Sequence, residues 1–222
     1  MLIVAVVMEK GGVGKTTIAL NLAVAAVQDG HTTAIIDIDP QATVSNWTDR
    51  RSHEKPWVVP TPAARITAAI EQAKTQGVDF IVIDTPPHSG RDSVEAARRA
   101  DLVLVPVEPH LFTIETLPKL ADLLKFAGDP PALLVISKAA VQGSEGVNAA
   151  EHIKSLGFSV CPAILYLRAA HRHATNVGKA VTEYEPDGKA ASEVRHLYTY
   201  TVQFIKKARR LHGKAESAHA RA

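Results

Sequence analysis

The stretch EKGGVGKTT, residues 9–17, follows directly on the apolar run LIVAVVM of residues 2–8. It departs at one position from the phosphate-binding pattern G-x-x-x-x-G-K-[ST], because Glu9 stands where the pattern has its first glycine. The residue after Glu9 is a second lysine, Lys10. The remaining glycines, with Lys15 and Thr16, still predict a loop that follows a strand, opens a helix and binds phosphate groups.

Five short runs of the chain are apolar almost throughout, which is typical of strands buried on both faces. They cover residues 2–8, 33–38, 80–84, 102–107 and 132–137, with a weaker sixth run at 158–165. Helical patterns cover residues 17–30, 63–77, 93–100, 113–128, 146–157 and about 189–212. This order predicts an α/β fold, a doubly wound and mainly parallel β-sheet flanked by helices.

The composition is that of a globular domain. A chain of 222 residues, 46% of them hydrophobic, can bury a full core, and we predict one domain over residues 1–212 and a flexible tail over 213–222. The one cysteine, Cys161, excludes a disulfide framework and fits a reducing compartment. The first apolar run lacks the features of a signal peptide, and no stretch approaches the roughly 18 apolar residues of a membrane span.

Charge is distributed unevenly along the chain. From Arg195 to the end there are seven Lys/Arg residues and one acidic residue, a net charge of +6, so the chain's total of +2 leaves −4 for residues 1–194. A basic end on a slightly acidic body predicts an anionic partner. The alternative is a solvated helix face followed by a disordered tail.

The predicted loop lies where nucleotides bind in such sheets, at the carboxyl end of a strand. Its backbone N–H groups can approach phosphate oxygens, and the helix that follows adds the positive end of its dipole. We expect Lys15 to reach the β- and γ-phosphates, Thr16 to bind Mg²⁺ and Thr17 to bond the α-phosphate. The residues of this predicted site are Gly11, Gly12, Val13, Gly14, Lys15, Thr16 and Thr17.

Three carboxylates end two further strands. Asp37 and Asp39 close the run TAIIDID, and Asp84 closes FIVID. Acids spaced i, i+2 point the same way in a strand and are costly to bury unpaired, so they suit a metal ion and an attacking water. Asp84 occupies the place of a carboxylate that holds Mg²⁺ through water. Helix capping is the alternative role for any one of these residues.

The motifs KGGVGKTT, IIDIDPQ and FIVIDTPP, in this order and spacing, resemble those of the deviant Walker A ATPases, specifically the ParA-type DNA-segregation ATPases. The later segment GKAVTEYEPDGKAASEVRHL is similar to the C-terminal region of that family. The resemblance covers most of residues 1–205 and implies the fold of a P-loop NTPase. Because the loop begins at residue 9, the chain resembles the small ParA class without an N-terminal DNA-binding extension.

The resemblance also implies an answer to why the loop has two lysines. In this family the extra lysine, here Lys10, reaches across a two-fold interface to phosphates bound by the other subunit, so that ATP is sandwiched in a homodimer. The cofactors it implies are ATP and Mg²⁺. The resemblance implies that Asp37 supports the metal ion, that Asp39 orients the attacking water and that Asp84 is the Walker B acid. Glu9, and Ala42 after the DPQ motif, depart from the residues frequent in the family.

The function implied is that of a partition ATPase in the cytoplasm, associated with the nucleoid and not with a membrane. The ATP-bound dimer binds DNA without sequence preference, and a ParB-like adaptor on the cargo stimulates hydrolysis and releases the dimer. Binding of DNA without sequence preference needs only basic side chains that neutralise the phosphates of the DNA backbone. The residues predicted to form the DNA surface are Arg168, Arg172, Arg195, Lys206, Lys207, Arg209 and Arg210.

Other classes share the nucleotide loop. A membrane-associated positioning ATPase resembling MinD needs a terminal amphipathic helix with large apolar residues, and the sequence AESAHARA at the end of this chain offers none. A reductase of the nitrogenase iron-protein type needs two cluster cysteines per subunit, and this chain has one. An ATP-dependent ligase and an arsenite-pump ATPase are further alternatives.

Overall fold

The computed structural model describes residues 1–88 and 90–219. Its centre is a six-stranded sheet in which every pairing is parallel, in the order β3-β2-β4-β1-β5-β6. The strands are β1 (Leu2–Val6), β2 (Thr33–Asp37), β3 (Trp57–Pro60), β4 (Phe80–Asp84), β5 (Leu102–Val107) and β6 (Ala132–Ile136). The predicted fold class is confirmed, and the five strong apolar runs are strands.

Two strand predictions differ from the structure. The run over 158–165 does not form a strand and contributes one isolated bridge, between Val160 and Leu134. The edge strand β3 was not predicted, because its apolar run of Trp57, Val58 and Val59 is only three residues long and lies between two prolines. An edge strand exchanges hydrogen bonds on one side only, which also permits Pro60 at its end.

Helices connect the strands and cover both faces of the sheet. They are α1 (Lys15–Gln28), α2 (Thr43–Thr48), α3 (Ile66–Thr75), α4 (Gly90–Arg99), α5 (Leu111–Ile114), α6 (Leu117–Phe126), α7 (Glu145–Ser155), α8 (Ala169–Asn176), α9 (Val181–Tyr184) and α10 (Lys189–His219). The pattern over 113–128 is divided between α5 and α6, and Pro118 lies in the first turn of α6, where proline is tolerated. The short helices α2, α8 and α9 were not predicted.

The last helix is longer than predicted. Its backbone continues to His219 rather than ending near residue 212, and residues 220–222 of the predicted tail lie outside the described residues. The boundary between domain and tail stays a prediction. In the part of the chain that the structure describes, no helix combines the length and the apolar character needed to cross a bilayer.

Side chains of the inner strands alternate between two cores. Val4 and Val6 of β1 face a core that includes α1 and α10, whereas Ala5 faces a second core built with α3, α4, α6 and α7. The connections after the neighbouring strands β1 and β4 therefore leave toward opposite faces, α1 to one and α4 to the other. A crevice opens at such a point at the carboxyl ends of the strands, which positions the predicted site between β1 and β4.

A buried ion pair joins the loop after α2 to the segment around α9. Both guanidinium nitrogens of Arg51 bond the carboxylate of Glu183, at 2.8 and 3.0 Å, and Arg51 also donates to the carbonyl of Gly178. The guanidinium lies 4.2 Å from the ring centre of Trp47. Burial favours a raised pKa for Glu183, but the bonds from Arg51 and from the Ala180 N–H outweigh it and hold the pKa below its ordinary value.

Removing one partner of this pair should destabilise the protein strongly. The Arg51 side chain is only 2% exposed, so Arg51→Ala leaves the Glu183 carboxylate buried without its counter-ion, which typically costs about 3–5 kcal/mol. We expect a fall of that size in the free energy of unfolding measured by urea denaturation. The control is Arg50→Ala at the exposed neighbouring position, and equal effects of the two substitutions would contradict the assignment.

Candidate functional site

The loop between β1 and α1 has the backbone of a phosphate-binding turn. Gly12 and Gly14 have φ of +78° and +95°, a region that side chains with a Cβ rarely adopt. Helix α1 begins at Lys15, so the unpaired N–H groups of its first turn point toward the crevice. The Ser137 hydroxyl at the end of β6 donates to the carbonyl of Val13 at 2.8 Å and fixes the loop against the sheet.

Lys15 is buried inside this loop. Its side chain is 7% exposed, and its Nζ donates to the carbonyl of Lys10 at 3.3 Å. Burial lowers the pKa of Lys15, while the charges of Asp84 and Asp39 act to raise it. The ammonium group is therefore close to both carboxylates and ready to exchange a weak backbone contact for a phosphate oxygen.

Asp37 and Asp84 lie side by side, because the parallel register of β2 and β4 pairs them. Both are buried, and among the described residues neither oxygen of Asp84, nor Oδ2 of Asp37, has a hydrogen-bond partner. Burial raises the pKa of Asp84 to about 7; the Thr16 hydroxyl, which lies nearby without completing a hydrogen bond, opposes the rise, and the charge of Asp37 adds to it. Burial likewise raises the pKa of Asp37. Such unpaired buried carboxylates are costly without a cation.

These residues fit a magnesium ion that is bound together with phosphates. In the described part of the chain, no group of three His, Cys, Asp or Glu side chains is placed to hold a metal by itself. Mg²⁺ characteristically uses one or two carboxylates, with water and phosphate oxygens completing its shell. The unsatisfied oxygens of Asp37 and Asp84, next to the Thr16 hydroxyl, are suitable donors for that arrangement.

Asp39 is half-buried at the opening of the crevice. Its N–H donates to Oδ1 of Asp37 at 3.1 Å, and its own Oδ1 accepts from the N–H of Gln41 at 2.9 Å. Within residues 1–88 and 90–219 the second carboxylate oxygen accepts no hydrogen bond, which leaves it available for water. Asp39 lines a cleft of about 270 Å³ together with residues of the loop; the full lining is Gly12, Gly14, Lys15, Thr16, Thr17, Asp39, Pro87 and Lys138.

A smaller cavity of about 80 Å³ adjoins this cleft. Its lining includes the apolar side chains of Ile18, Leu165 and Leu167, together with Thr17. Arg168, predicted to bind DNA, lines this cavity instead of projecting into solvent. Its Nε bonds Oε1 of Glu193 at 2.7 Å, and its guanidinium lies 5.3 Å from the ring centre of Tyr166.

Lys10 is bonded to residues of its own chain. Its Nζ donates to the buried Thr113 hydroxyl at 2.7 Å and lies 3.7 Å from Oε2 of Glu108. The side chain is 36% exposed at the edge of the loop. Lys10 does not line the 270 Å³ cleft, so the structure does not bring it to the place where nucleotide phosphates of the same subunit would lie.

The other predicted DNA-binding residues fall into two groups. Arg209 bonds Asp101 at 2.7 Å and the carbonyl of Met1, which precede β5 and β1, so this end of α10 lies at the amino edge of the sheet. The exposed Lys206, Lys207 and Arg210 are on the same part of the helix.

The second group lies toward the opposite, nucleotide-loop edge. Arg172 is exposed on α8, beside the cavity-lining His171. Arg195, near the start of α10, is exposed and donates to the carbonyl of Pro186. The seven predicted residues therefore do not form one continuous surface within a subunit.

Four residues near the loop were missed from the sequence: Glu108, Thr113, Ser137 and Lys138. Glu108 and Ser137 directly follow β5 and β6, and Lys138 comes one residue later. The rule that ligands bind at the carboxyl ends of parallel strands could have identified these three residues. Thr113 follows no strand, and its contact with Lys10 spans 103 positions of sequence.

Comparison with known proteins agrees with a nucleotide-binding site in this chain. The family model described as the CobQ/CobB/MinD/ParA nucleotide binding domain matches residues 4–194. The Maintenance of carboxysome distribution protein A of Halothiobacillus neapolitanus is 27% identical over 196 residues, which cover 85% of this chain and 90% of that protein. The Chromosome-partitioning ATPase Soj of Thermus thermophilus is 22% identical, with 87% and 92% covered.

Solved structures give the same fold. The MinD cell division protein of Aquifex aeolicus superposes with a TM-score of 0.71 at 20% sequence identity, covering 96% of this chain and 98% of that one. At that identity the likeness shows the fold alone. The arrangement of strands and helices that carries the loop and the three carboxylates is therefore a fold found in other solved structures.

The raised pKa of Asp84 predicts a pH-dependent stability in metal-free, nucleotide-free protein. Its folded pKa of about 7 lies above the 3.8 that is usual for an exposed aspartate, so between these pH values the folded state holds a proton that the unfolded state releases. The free energy of unfolding should fall as pH rises from about 4 to about 7, by up to about 4 kcal/mol for this group.

Asp84→Asn removes the charge, so we expect higher stability than wild type at pH 8 and equal stability at pH 4, measured by urea denaturation in EDTA. The control is Asp49→Asn at an exposed position. A stability difference between Asp84→Asn and wild type that is the same at pH 4 and at pH 8 would show that burial does not shift this carboxyl.

Proposed function

The chain belongs to the CobQ/CobB/MinD/ParA family of nucleotide-binding domains, and on this premise we propose that it is a magnesium-dependent ATPase that partitions or positions a cargo. The resemblance drawn from the sequence motifs is confirmed at the level of this family. The observation that carries the proposal is the convergence of Lys15 with the unpaired carboxylates Asp37 and Asp84 at one crevice.

Each residue of the crevice has a role in this proposal. The loop N–H groups and Lys15 bind the β- and γ-phosphates, and Thr16, Asp37 and Asp84 hold Mg²⁺ directly or through water. Mg²⁺ supplies neutralisation of the charge that develops on the phosphates. Asp39 orients the attacking water with its available oxygen, because it alone of the three carboxylates is not fully buried. Its position at the opening of the crevice gives water a path to the γ-phosphate.

The smaller cavity is the proposed site of the base. Its apolar wall of Ile18, Leu165 and Leu167 suits the faces of a purine ring, and it begins at Thr17, where the phosphate cleft ends. In this assignment Arg168 and Tyr166 close the base site. The pairing of Arg168 with Glu193 keeps this wall rigid, which gives Arg168 a role other than binding DNA.

Lys10 is proposed to act across a homodimer interface. Thr113 and Glu108 hold it in the isolated subunit, and the phosphates of a second subunit offer a stronger acceptor once the interface excludes water. Two ATP molecules would then be enclosed between two subunits. Dimerisation would depend on ATP because the charge that draws Lys10 away from Glu108 belongs to the nucleotide.

The partners proposed are DNA, bound without sequence preference, and an adaptor on the cargo that stimulates hydrolysis. Support for DNA comes from the exposed basic end of α10 and from the relatives whose names refer to chromosome partitioning. A dimer that closes over the nucleotide crevices would leave the amino edges of its two sheets far apart. The α10 clusters would therefore contact DNA as two separate zones.

The first test concerns Lys10. Lys10→Ala should bind ATP with nearly wild-type affinity, because Lys15 and the loop amides remain, but should lose ATP-dependent dimerisation and hydrolysis. Light scattering with and without ATP measures the first, and phosphate release measures the second. Lys74→Ala on the exposed surface of α3 is the control. A Lys10 variant that dimerises as well as wild type would refute the role across the interface.

The second test concerns the basic end of α10. Replacing Lys206, Lys207 and Arg210 by Gln should weaken binding equally on all DNA sequences. The slope of log K against log salt should flatten by about 3 units if one subunit's cluster contacts phosphates, and by about 5 if both do. Retardation of duplex DNA at several salt concentrations, with ATP, measures this. An unchanged slope would leave Arg172 and Arg195 as the DNA surface. Pelleting of the protein with anionic vesicles distinguishes binding to a membrane from binding to DNA.

A further inference from the structure

Lys138 is held next to the nucleotide loop by an unusual backbone. It comes two residues after the end of β6 and has φ of +54°, in the left-handed region that residues with a side chain rarely adopt. The bond from the neighbouring Ser137 hydroxyl to the carbonyl of Val13 joins this strand end to the loop. The fold thus maintains a strained position that brings a lysine to the phosphate-binding turn.

The side chain of Lys138 points into the site. Its Nζ donates to the carbonyl of Gly12 and lies 3.4 Å from Oε1 of Glu108. The other carboxylate oxygen of Glu108 lies 3.7 Å from Nζ of Lys10. Glu108 is therefore the shared counter-ion of two lysines on either side of the loop. The Lys138 side chain is 41% exposed, so it can move to a new acceptor without leaving a buried charge behind.

Lys138 also lies at the junction of the two cavities. Of the residues that line the phosphate cleft, three line the smaller cavity as well: Gly14, Thr17 and Lys138. Lys138 is the one cation among these three. A nucleotide with its base in the smaller cavity and its β- and γ-phosphates in the cleft has its α-phosphate at this junction.

We propose that Lys138 binds the α-phosphate of the nucleotide, opposite Thr17. The assignment rests on the proposed nucleotide site and adds a residue to it. On binding, Nζ exchanges the Gly12 carbonyl for a phosphate oxygen. The contact is a charge-assisted hydrogen bond to a group that ATP, ADP and AMP have in common. Lys15, in contrast, serves the phosphates that AMP lacks.

The test compares affinities for the three nucleotides. Lys138→Gln should reduce the affinity for ATP, ADP and AMP by the same factor, about 10- to 100-fold, in calorimetric titrations of ATP and ADP and in displacement of ADP by AMP. Lys138→Arg keeps the charge and should restore most of the affinity. Lys74→Gln on α3 is the matched control, and an unchanged urea midpoint shows that each variant is folded.

The outcomes separate the inference from the proposed function. Unchanged affinities in Lys138→Gln, or a loss confined to ATP, would overturn the α-phosphate contact while wild-type binding still supports an ATPase. A loss that Lys138→Arg does not restore would show that the residue acts through the shape of the strand end and would equally overturn the contact. Failure of the wild type to bind ATP or ADP would overturn the proposed function and this inference with it.

Discussion

The burial of two unpaired carboxylates is the constraint on which the rest of the site depends. Parallel pairing of β2 and β4 places Asp37 beside Asp84, and the helices on both faces exclude water from them. The pKa of Asp84 rises to about 7 in consequence. A chain that needed only stability would have apolar residues at these two strand ends. Their presence at these positions is explained if a cation occupies the crevice during function.

The lysines around the loop show the complementary arrangement. Lys15 contacts the carbonyl of Lys10, Lys10 contacts Thr113, and Lys138 contacts the carbonyl of Gly12. Each ammonium group is thus bonded to a neutral oxygen that a phosphate oxygen can replace at a gain, because the new acceptor carries a negative charge. The positive charges are positioned before nucleotide binds, so little reorganisation is needed when it does.

Much of this site could be predicted from the sequence because its main parts are local. The loop, Asp37, Asp39 and Asp84 each follow a continuous apolar run, and a parallel sheet brings the ends of such runs to one edge. β3 could not be predicted in this way, since an edge strand needs only partial burial. The contacts of Lys10 with Thr113 and of Arg168 with Glu193 depend on tertiary packing.

The basic residues show the same limit of sequence reasoning. Counting charge along the chain identified α10 as basic, but it could not show that Arg209 is paired with Asp101 or that Arg168 forms a cavity wall. Position in the fold, and not charge alone, separates residues available to DNA from those already bonded. Lys206, Lys207 and Arg210 remain the exposed candidates at the amino edge of the sheet.

The most direct test of the central claim is the thermal unfolding midpoint at pH 8 with Mg²⁺ alone, with ATP in EDTA, and with both together. If Asp37 and Asp84 await a cation that arrives with phosphates, Mg²⁺ and ATP together should raise the midpoint by about 5–10 °C at concentrations near 100 times Kd. Each alone should raise it much less. Equal midpoints in all three conditions would contradict the account.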